Sequence, residues 1–273
     1  MARRSIRGCR VLVTGASGGI GRALALELVA QGAQVVALAR RAERLTQLVS
    51  DAAAKSAAVS PGAAAALHGA IEPVAGDVTL SADRRRALDA ACQRWGGLDV
   101  LVNNAGVGAL GPFEQADEAR LRHLMEVNFF APAELIRESL PILRQGVAPL
   151  IVNVSSVLGH CAVPRMSEYC ASKFALQGLS DSLRAELAGQ GIDLLVVSPG
   201  TTQSEFFENL VQRRSEALLP GRPRTTAEAV ARATVRAIAR GRREIIPSHT
   251  GRLLCWLHRL SPGLVDRVLA RMA

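Results

Sequence analysis

The only tyrosine of the chain, Tyr169, stands four residues before Lys173, one of two lysines in 273 residues. Inside a helix that spacing puts both side chains on one face. An isolated phenol titrates at about pH 10 and is a poor proton shuttle at neutral pH, and a nearby ammonium lowers that value. A tyrosine tuned in this way gives a proton to a carbonyl oxygen or removes one from an alcohol. Ser156 lies thirteen residues earlier, just past an apolar, β-branched run. Its hydroxyl there would donate to the same oxygen and stabilise developing negative charge. The plainer reading, an incidental tyrosine and a surface lysine on one helix, leaves the serine spacing and the strand context unexplained.

A second group of residues points to a phosphate-bearing ligand. The run Thr14-Gly15-Ala16-Ser17-Gly18-Gly19-Ile20-Gly21 joins an apolar strand to an apolar helix, with glycines in a G-x-x-x-G-x-G pattern. Glycines permit the tight turn and a close approach of backbone to a pyrophosphate, and the following helix supplies free N–H groups and a positive dipole end. NAD sites carry an acid at the end of the next strand for the ribose hydroxyls. Here Val36-Ala37-Leu38-Ala39 is followed by Arg40 and Arg41. Two guanidiniums suit a 2′-phosphate and adenine stacking, which favours NADP(H) over NAD(H). The alternative is two solvated arginines opening a helix in an Arg-rich chain.

The elements that must position these groups alternate. Short apolar runs at 10–14, 34–39, 71–76, 98–103, 150–155, 192–198 and 243–246 read as strands. Helical stretches at 20–31, 41–56, 81–95, 114–145, 167–189 and 226–240 separate them. Apolar strands divided by helices predict an α/β, doubly wound, mainly parallel seven-stranded Rossmann sheet with helices on both faces. The Ala-rich stretch 51–70, broken at Pro61-Gly62, reads as a helix end and a surface connection without chemistry.

Composition narrows the function classes. Hydrophobic residues at 49% and charged residues at 21% exclude extensive disorder. The net charge of +9 comes with heavy arginine and alanine usage, and aromatics are 3% with no basic stripe interleaving them. A nucleic-acid partner is therefore not expected. No apolar run approaches a membrane span. The basic N-terminus runs into a Gly-rich turn rather than a signal-peptide core. Cys9, Cys92, Cys161, Cys170 and Cys255 form no CxxC pair, which fits reduced thiols in a cytoplasmic protein. No metal site is expected from their spacing.

Taken together, TGASGGIG, Asp77, NNAG at 103–106, Asn128 within EVNFF, the Ser156/Tyr169/Lys173 set and Pro199-Gly200 resemble the short-chain dehydrogenases/reductases over residues 8–247. The resemblance implies Tyr169 as general acid/base, Ser156 as the group orienting the substrate oxygen, and Lys173 as the residue that lowers the tyrosine pKa and holds the nicotinamide ribose. It implies that Asn128 holds a water linking Lys173 to a proton relay. Asp77 and Val78 would border the adenine, and Asn104, Ala105 and Gly106 would line the cofactor. Val197, Pro199 and Gly200 would pass beside the nicotinamide. The run Thr201-Thr202-Gln203-Ser204 departs from the family pattern, yet Thr202 and Ser204 can still hydrogen-bond a carboxamide.

The expected organisation is a catalytic domain over 1–250, with a substrate lid at about 201–225, and an amphipathic extension at 251–273. Phe206, Phe207, Leu210, Val211, Leu218 and Leu219 give the lid an apolar face, and Val157, Leu158, Val163 and Met166 would add an apolar wall. His160, Cys161 and Cys170 are expected to pack against or line that wall. A core-covering helix is the competing reading of the lid. The extension reads as two short basic amphipathic helices broken at Pro262. Docking on an anionic membrane surface is one reading; packing against the body, the lid or a second subunit is preferred, because short amphipathic helices usually bury their stripe. The function expected is NADPH-dependent reduction of a lipophilic small-molecule carbonyl, or the reverse alcohol oxidation, by a homodimer or homotetramer associating through 114–145 and 167–189. A catalytically silent nucleotide sensor or scaffold of the same fold is the alternative, against which stand the retained Tyr169 and Lys173.

Overall fold

The computed structural model describes residues 1–59, 69–203, 210 and 225–271. Seven parallel strands form the central sheet: β1 (Arg10–Thr14), β2 (Gln34–Ala39), β3 (Ala70–Ala75), β4 (Val100–Asn103), β5 (Leu150–Val154), β6 (Asp193–Val197) and, after the short β7 (Thr202–Gln203) and β8 (Thr225–Thr226), β9 (Glu244–Ile245). Their spatial order is β3-β2-β1-β4-β5-β6-β9. The expected doubly wound sheet is present. The chain reverses direction across the sheet between β1 and β4, and the carboxyl ends of those strands open a crevice.

Helices cover both faces: α1 (Gly19–Ala30), α2 (Ala42–Val59), α3 (Ser81–Trp95), α4 (Glu118–Met125), α5 (Ala131–Leu143), α6 (Ser167–Glu186) and α7 (Ala227–Arg240), followed by α8 (His249–Leu260) and α9 (Pro262–Ala270). Successive residues of a strand point to opposite faces, so each central strand feeds two cores. Val11, Val13, Val35, Ala37, Val100 and Val102 pack with α1 and α7, while Leu12, Val36, Leu38, Leu101, Ile151 and Leu194 pack on the other face. The edge strand β3 is the exception to the expected apolar strands. It is largely exposed and carries Pro73, which an edge position tolerates.

The stretch expected as one helix over 114–145 is divided. A 3₁₀ turn at Phe113–Gln115 precedes α4, whose N-cap Asp117 accepts from the Arg120 N–H at 2.8 Å. Between α4 and α5 the ladder widens to a π turn at Glu126–Phe130, with the Ala131 N–H reaching the Glu126 carbonyl. Pro132 follows and has no N–H to close an α-helical bond onto Asn128, so the wider spacing is accommodated here. The turn carries Asn128 into the interior, where it is fully buried.

Candidate active site

The carboxyl ends of β1, β4 and β5 carry the site. The Thr14 hydroxyl oxygen accepts from the Asn104 N–H at 2.9 Å and the Ala105 N–H at 3.0 Å, and its carbonyl accepts from the Asn104 side-chain amide at 2.9 Å. These bonds lock the NNAG turn onto the Gly-rich turn. A Cβ on Gly15, whose φ is +67°, would lie 2.9 Å from Ala105 Cα. A Cβ on Gly21 would lie 2.4 Å from both Asn104 Nδ2 and the Gly15 carbonyl oxygen. Glycine is therefore required at both positions by close approach.

α1 starts at Gly19 behind Gly18, with no side-chain cap and no acid in its first turn. Its leading N–H groups and positive dipole end suit an anion. Ile20 packs against the core below the turn. Arg41 Nε and Nη2 donate to the Ser17 hydroxyl at 3.3 and 3.2 Å, which brings that guanidinium over the Gly-rich turn, while Arg40 is exposed. The donor set of glycine turn, helix terminus and arginine fits a ligand bearing several phosphates. Asp77 and Val78 follow β3. The Asp77 carboxylate accepts from the Thr79 N–H at 2.9 Å and the Thr79 hydroxyl at 2.8 Å, closing its own turn, and buried Val78 accepts from Arg84 Nη1 at 3.1 Å.

Tyr169, Ser156, Lys173 and Asn128 converge from α6, the β5 end and the π turn. All four are buried. Tyr169 and Ser156 are hydrogen-bonded through their side chains. The Ser156 oxygen also accepts from the Leu158 N–H at 3.0 Å, which fixes it at the start of the 3₁₀ turn Val157–Gly159. Lys173 Nζ donates to the Val154 carbonyl at 3.1 Å and lies 5.8 Å from the Tyr169 ring centroid. The Asn128 amide donates to the Val107 carbonyl at 2.9 Å and the Ser172 hydroxyl at 3.0 Å, and its oxygen accepts from the Val107 N–H at 2.9 Å. Asn128 thus staples the loop after β4 to α6. A Cβ on Gly106 would come 3.1 Å from Asn128 Oδ1 and 3.6 Å from Lys173 Nζ.

The electrostatics differ from the expectation of an ammonium-lowered phenol. Burial drives the Tyr169 pKa up, and the Ser156 hydrogen bond offsets only part of that rise. Burial pushes Lys173 down to about 8. The ammonium is committed to the Val154 carbonyl, and the apolar shell of Ala109, Leu110, Leu124, Met166 and Cys170 keeps the phenol dry. The resting tyrosine is a neutral hydroxyl.

The expected apolar wall is present in part. Leu158, Val163, Met166 and Leu210 pack on the Tyr169 cluster, with Cys170 inside it. Val157 faces elsewhere: its Cγ2 lies 2.7 Å from where a Cβ on Gly251 would be. His160 departs from the expected lining role, because its Nε2 lies 3.0 Å from both Ser198 Oγ and Glu244 Oε1. The His160 bond holds the Glu244 carboxyl below its usual range. This bridge joins the turn after β5 to the ends of β6 and β9. Pro199 accepts from the Val157 N–H at 3.0 Å, and the Thr202 hydroxyl donates to the Gly200 carbonyl at 3.0 Å. Ser204, Phe206, Phe207, Val211, Leu218 and Leu219 lie outside the described residues.

Sequence reasoning missed Thr14, Ser172 and the buried Arg120–Glu168 ion pair that ties α4 to the start of α6. Thr14 and Ser172 sit inside the motif strings and were readable as their polar members. The pairing of Arg120 with Glu168 and of His160 with Glu244 is set by tertiary contact and leaves no local trace.

The sequence profile of the short chain dehydrogenases matches residues 10–215. The chain belongs to the short-chain dehydrogenase family. This short-chain dehydrogenase is 31% identical over 277 residues to 11-beta-hydroxysteroid dehydrogenase A of Sesamum indicum, covering 98% of this chain and 76% of the relative. It is also similar to a short chain dehydrogenase/reductase from Burkholderia phymatum solved in complex with NAD, with TM-score 0.82 and 26% identity, covering 96% of each chain. A short chain dehydrogenase from Burkholderia cenocepacia in complex with NADP matches with TM-score 0.79 and 26% identity, covering 97% of this chain and 99% of that one.

Proposed function

We propose that this short-chain dehydrogenase is an NADPH-dependent reductase of a carbonyl on a lipophilic small molecule. The observation that carries the reading is the buried Tyr169 hydroxyl hydrogen-bonded to Ser156 among apolar side chains. A protonated phenol is the form that can donate to a carbonyl oxygen. Ser156 orients that oxygen and Tyr169 gives it the proton. Lys173, charged below about pH 8, supplies a cation beside the phenol and a donor for the dinucleotide ribose. Asn128 holds the β4 loop and α6 in register.

A dinucleotide would be held by Gly15, Ser17, Gly18, Gly19, Ile20 and Gly21, by Asn104, Ala105 and Gly106, and by Asp77, Val78, Pro199, Gly200 and Thr202. Once bound it supplies the hydride. The two solved relatives hold NAD and NADP respectively. Arg40 and Arg41 in place of an acid, with Arg41 directed at Ser17, favour the phosphorylated form. The apolar shell around Tyr169 and the steroid dehydrogenase relative support a lipophilic substrate. Self-association through α4–α6 is part of the same reading, and Phe130 and Phe174 are exposed there.

Steady-state kinetics on a panel of aliphatic, aromatic and polar carbonyls with NADPH and NADH test this. NADPH should be preferred, and Arg41→Ala should lower kcat/KM for NADPH by roughly tenfold to a hundredfold, the value of a charge-assisted bond, while sparing NADH. An NADH preference, or equal turnover of polar and apolar carbonyls, would overturn the corresponding half of the reading.

A further inference from the structure

The C-terminal helices offer a face that the site does not use. α8 turns Gly251 and Cys255 inward, and Leu254 and His258 are half-buried beside them. Its opposite side carries Leu253, Trp256, Leu257 and Leu260 at helical spacing, and they are 56%, 59%, 38% and 64% exposed. α9 carries a single apolar stripe. Val265 is buried, while Leu264 and Val268 are 54% and 52% exposed. A surface helix of a soluble domain places polar residues opposite its buried stripe. On α8 the side turned away from the body is apolar as well. The expected packing against the body therefore holds for one of the two stripes of α8, while α9 leaves Leu264 and Val268, at the margin of its single stripe, exposed.

The charge around this face selects its partner. Arg252 and Arg259 border the Trp256 side of α8, and Arg267 and Arg271 follow Leu264 and Val268 at helical spacing on α9; all four are exposed. Asp266 is the one acid between residues 249 and 271. A second copy of this face would bring one acid, Asp266, against four guanidiniums, so like-charge repulsion would dominate. Apolar side chains with an indole among them, edged by cations, match the boundary between headgroups and acyl chains of an anionic membrane. Among the described residues no helix is long and apolar enough to cross a membrane.

We infer that α8 and α9 dock this protein on an anionic lipid surface, with Leu253, Trp256, Leu257, Leu260, Leu264 and Val268 entering the interface. Ser248 caps α8 by accepting from the Gly251 N–H at 3.0 Å, and its Oγ lies 2.7 Å from where a Cβ on Gly200 would be. Val157, next to Ser156, packs against the same helix start. The docked helices thus rest directly on the loops that follow β5 and β6, which holds those loops close to the lipid surface.

Flotation of the full chain with vesicles of phosphatidylcholine alone, and of phosphatidylcholine with phosphatidylserine, tests the inference. Binding is expected only with phosphatidylserine present, weakening with salt. Arg252→Gln with Arg259→Gln should lower the partition coefficient roughly fivefold per arginine. Trp256→Ser with Leu260→Ser, both at exposed positions, should lower it by roughly tenfold or more. In a Trp95→Phe background Trp256 is the remaining indole, and its emission should shift to the blue with anionic vesicles. Equal recovery with and without phosphatidylserine, or binding unmoved by the Trp256/Leu260 substitutions, would overturn the inference. So would vesicle-independent dimers that the same pair of substitutions dissociates, since the face would then be a subunit contact.

Discussion

Burial acts on Tyr169 and Lys173 in opposite directions, and this sets the chemistry of the site. The phenol is held protonated, and Lys173 is brought to about 8. An amine whose pKa is lowered is charged below that value and neutral above it. If the charged form binds and aligns the dinucleotide, kcat/KM for NADPH should fall as pH rises through about 8, because this parameter reports the free protein's groups. A profile that stays flat as pH rises through about 8 would contradict that role. The triplet of Ser156, Tyr169 and Lys173 was legible in the sequence because its chemistry depends on residue type and spacing along one helix and one strand end. The direction of the tyrosine shift was not. It depends on Leu110, Leu124 and Met166 arriving from three separate segments to exclude water, and no local pattern announces that.

At the level of elements, the β1 end and the loop after β4 act as one unit. Thr14, itself buried, accepts two backbone N–H groups of the loop after β4. Thr14→Val keeps the shape and removes the oxygen, so it should destabilise the fold by about 2 kcal/mol or more, with Thr14→Ser restoring most of it. Chemical unfolding of the three proteins measures this, and a Val variant as stable as wild type would show that the two bonds carry little. Strands and most helices were readable from apolar periodicity, since each central strand is covered on both faces. The break of 114–145 into α4, the π turn and α5 was not. It arises where Pro132 removes one ladder donor and Asn128 finds Val107 and Ser172. Both amphipathic helices of the extension were legible, whereas the side on which each would be covered depends on how they meet the body.

The whole molecule brings two halves of the chain to one crevice. The Gly-rich turn and Arg41 come from the first strands, and Ser156, Tyr169 and Lys173 come from the other side of the switch between β1 and β4. Thr14 joins the halves through Asn104 and Ala105, and bridges between distant segments hold the second half in place: Asn128 to Val107 and Ser172, Arg120 to Glu168, and His160 to Ser198 and Glu244. The central claim is that this convergence makes Tyr169 the proton donor to a substrate lying beside a bound dinucleotide. The most direct measurement pairs NADPH binding with single-turnover reduction in Tyr169→Phe. The phenyl ring keeps the apolar packing and loses only the hydroxyl. The account predicts an NADPH affinity within about threefold of wild type and a chemical step slowed by roughly a hundredfold or more, the contribution of a positioned general acid. Reduction at a wild-type rate in Tyr169→Phe, with NADPH bound as tightly, would contradict it.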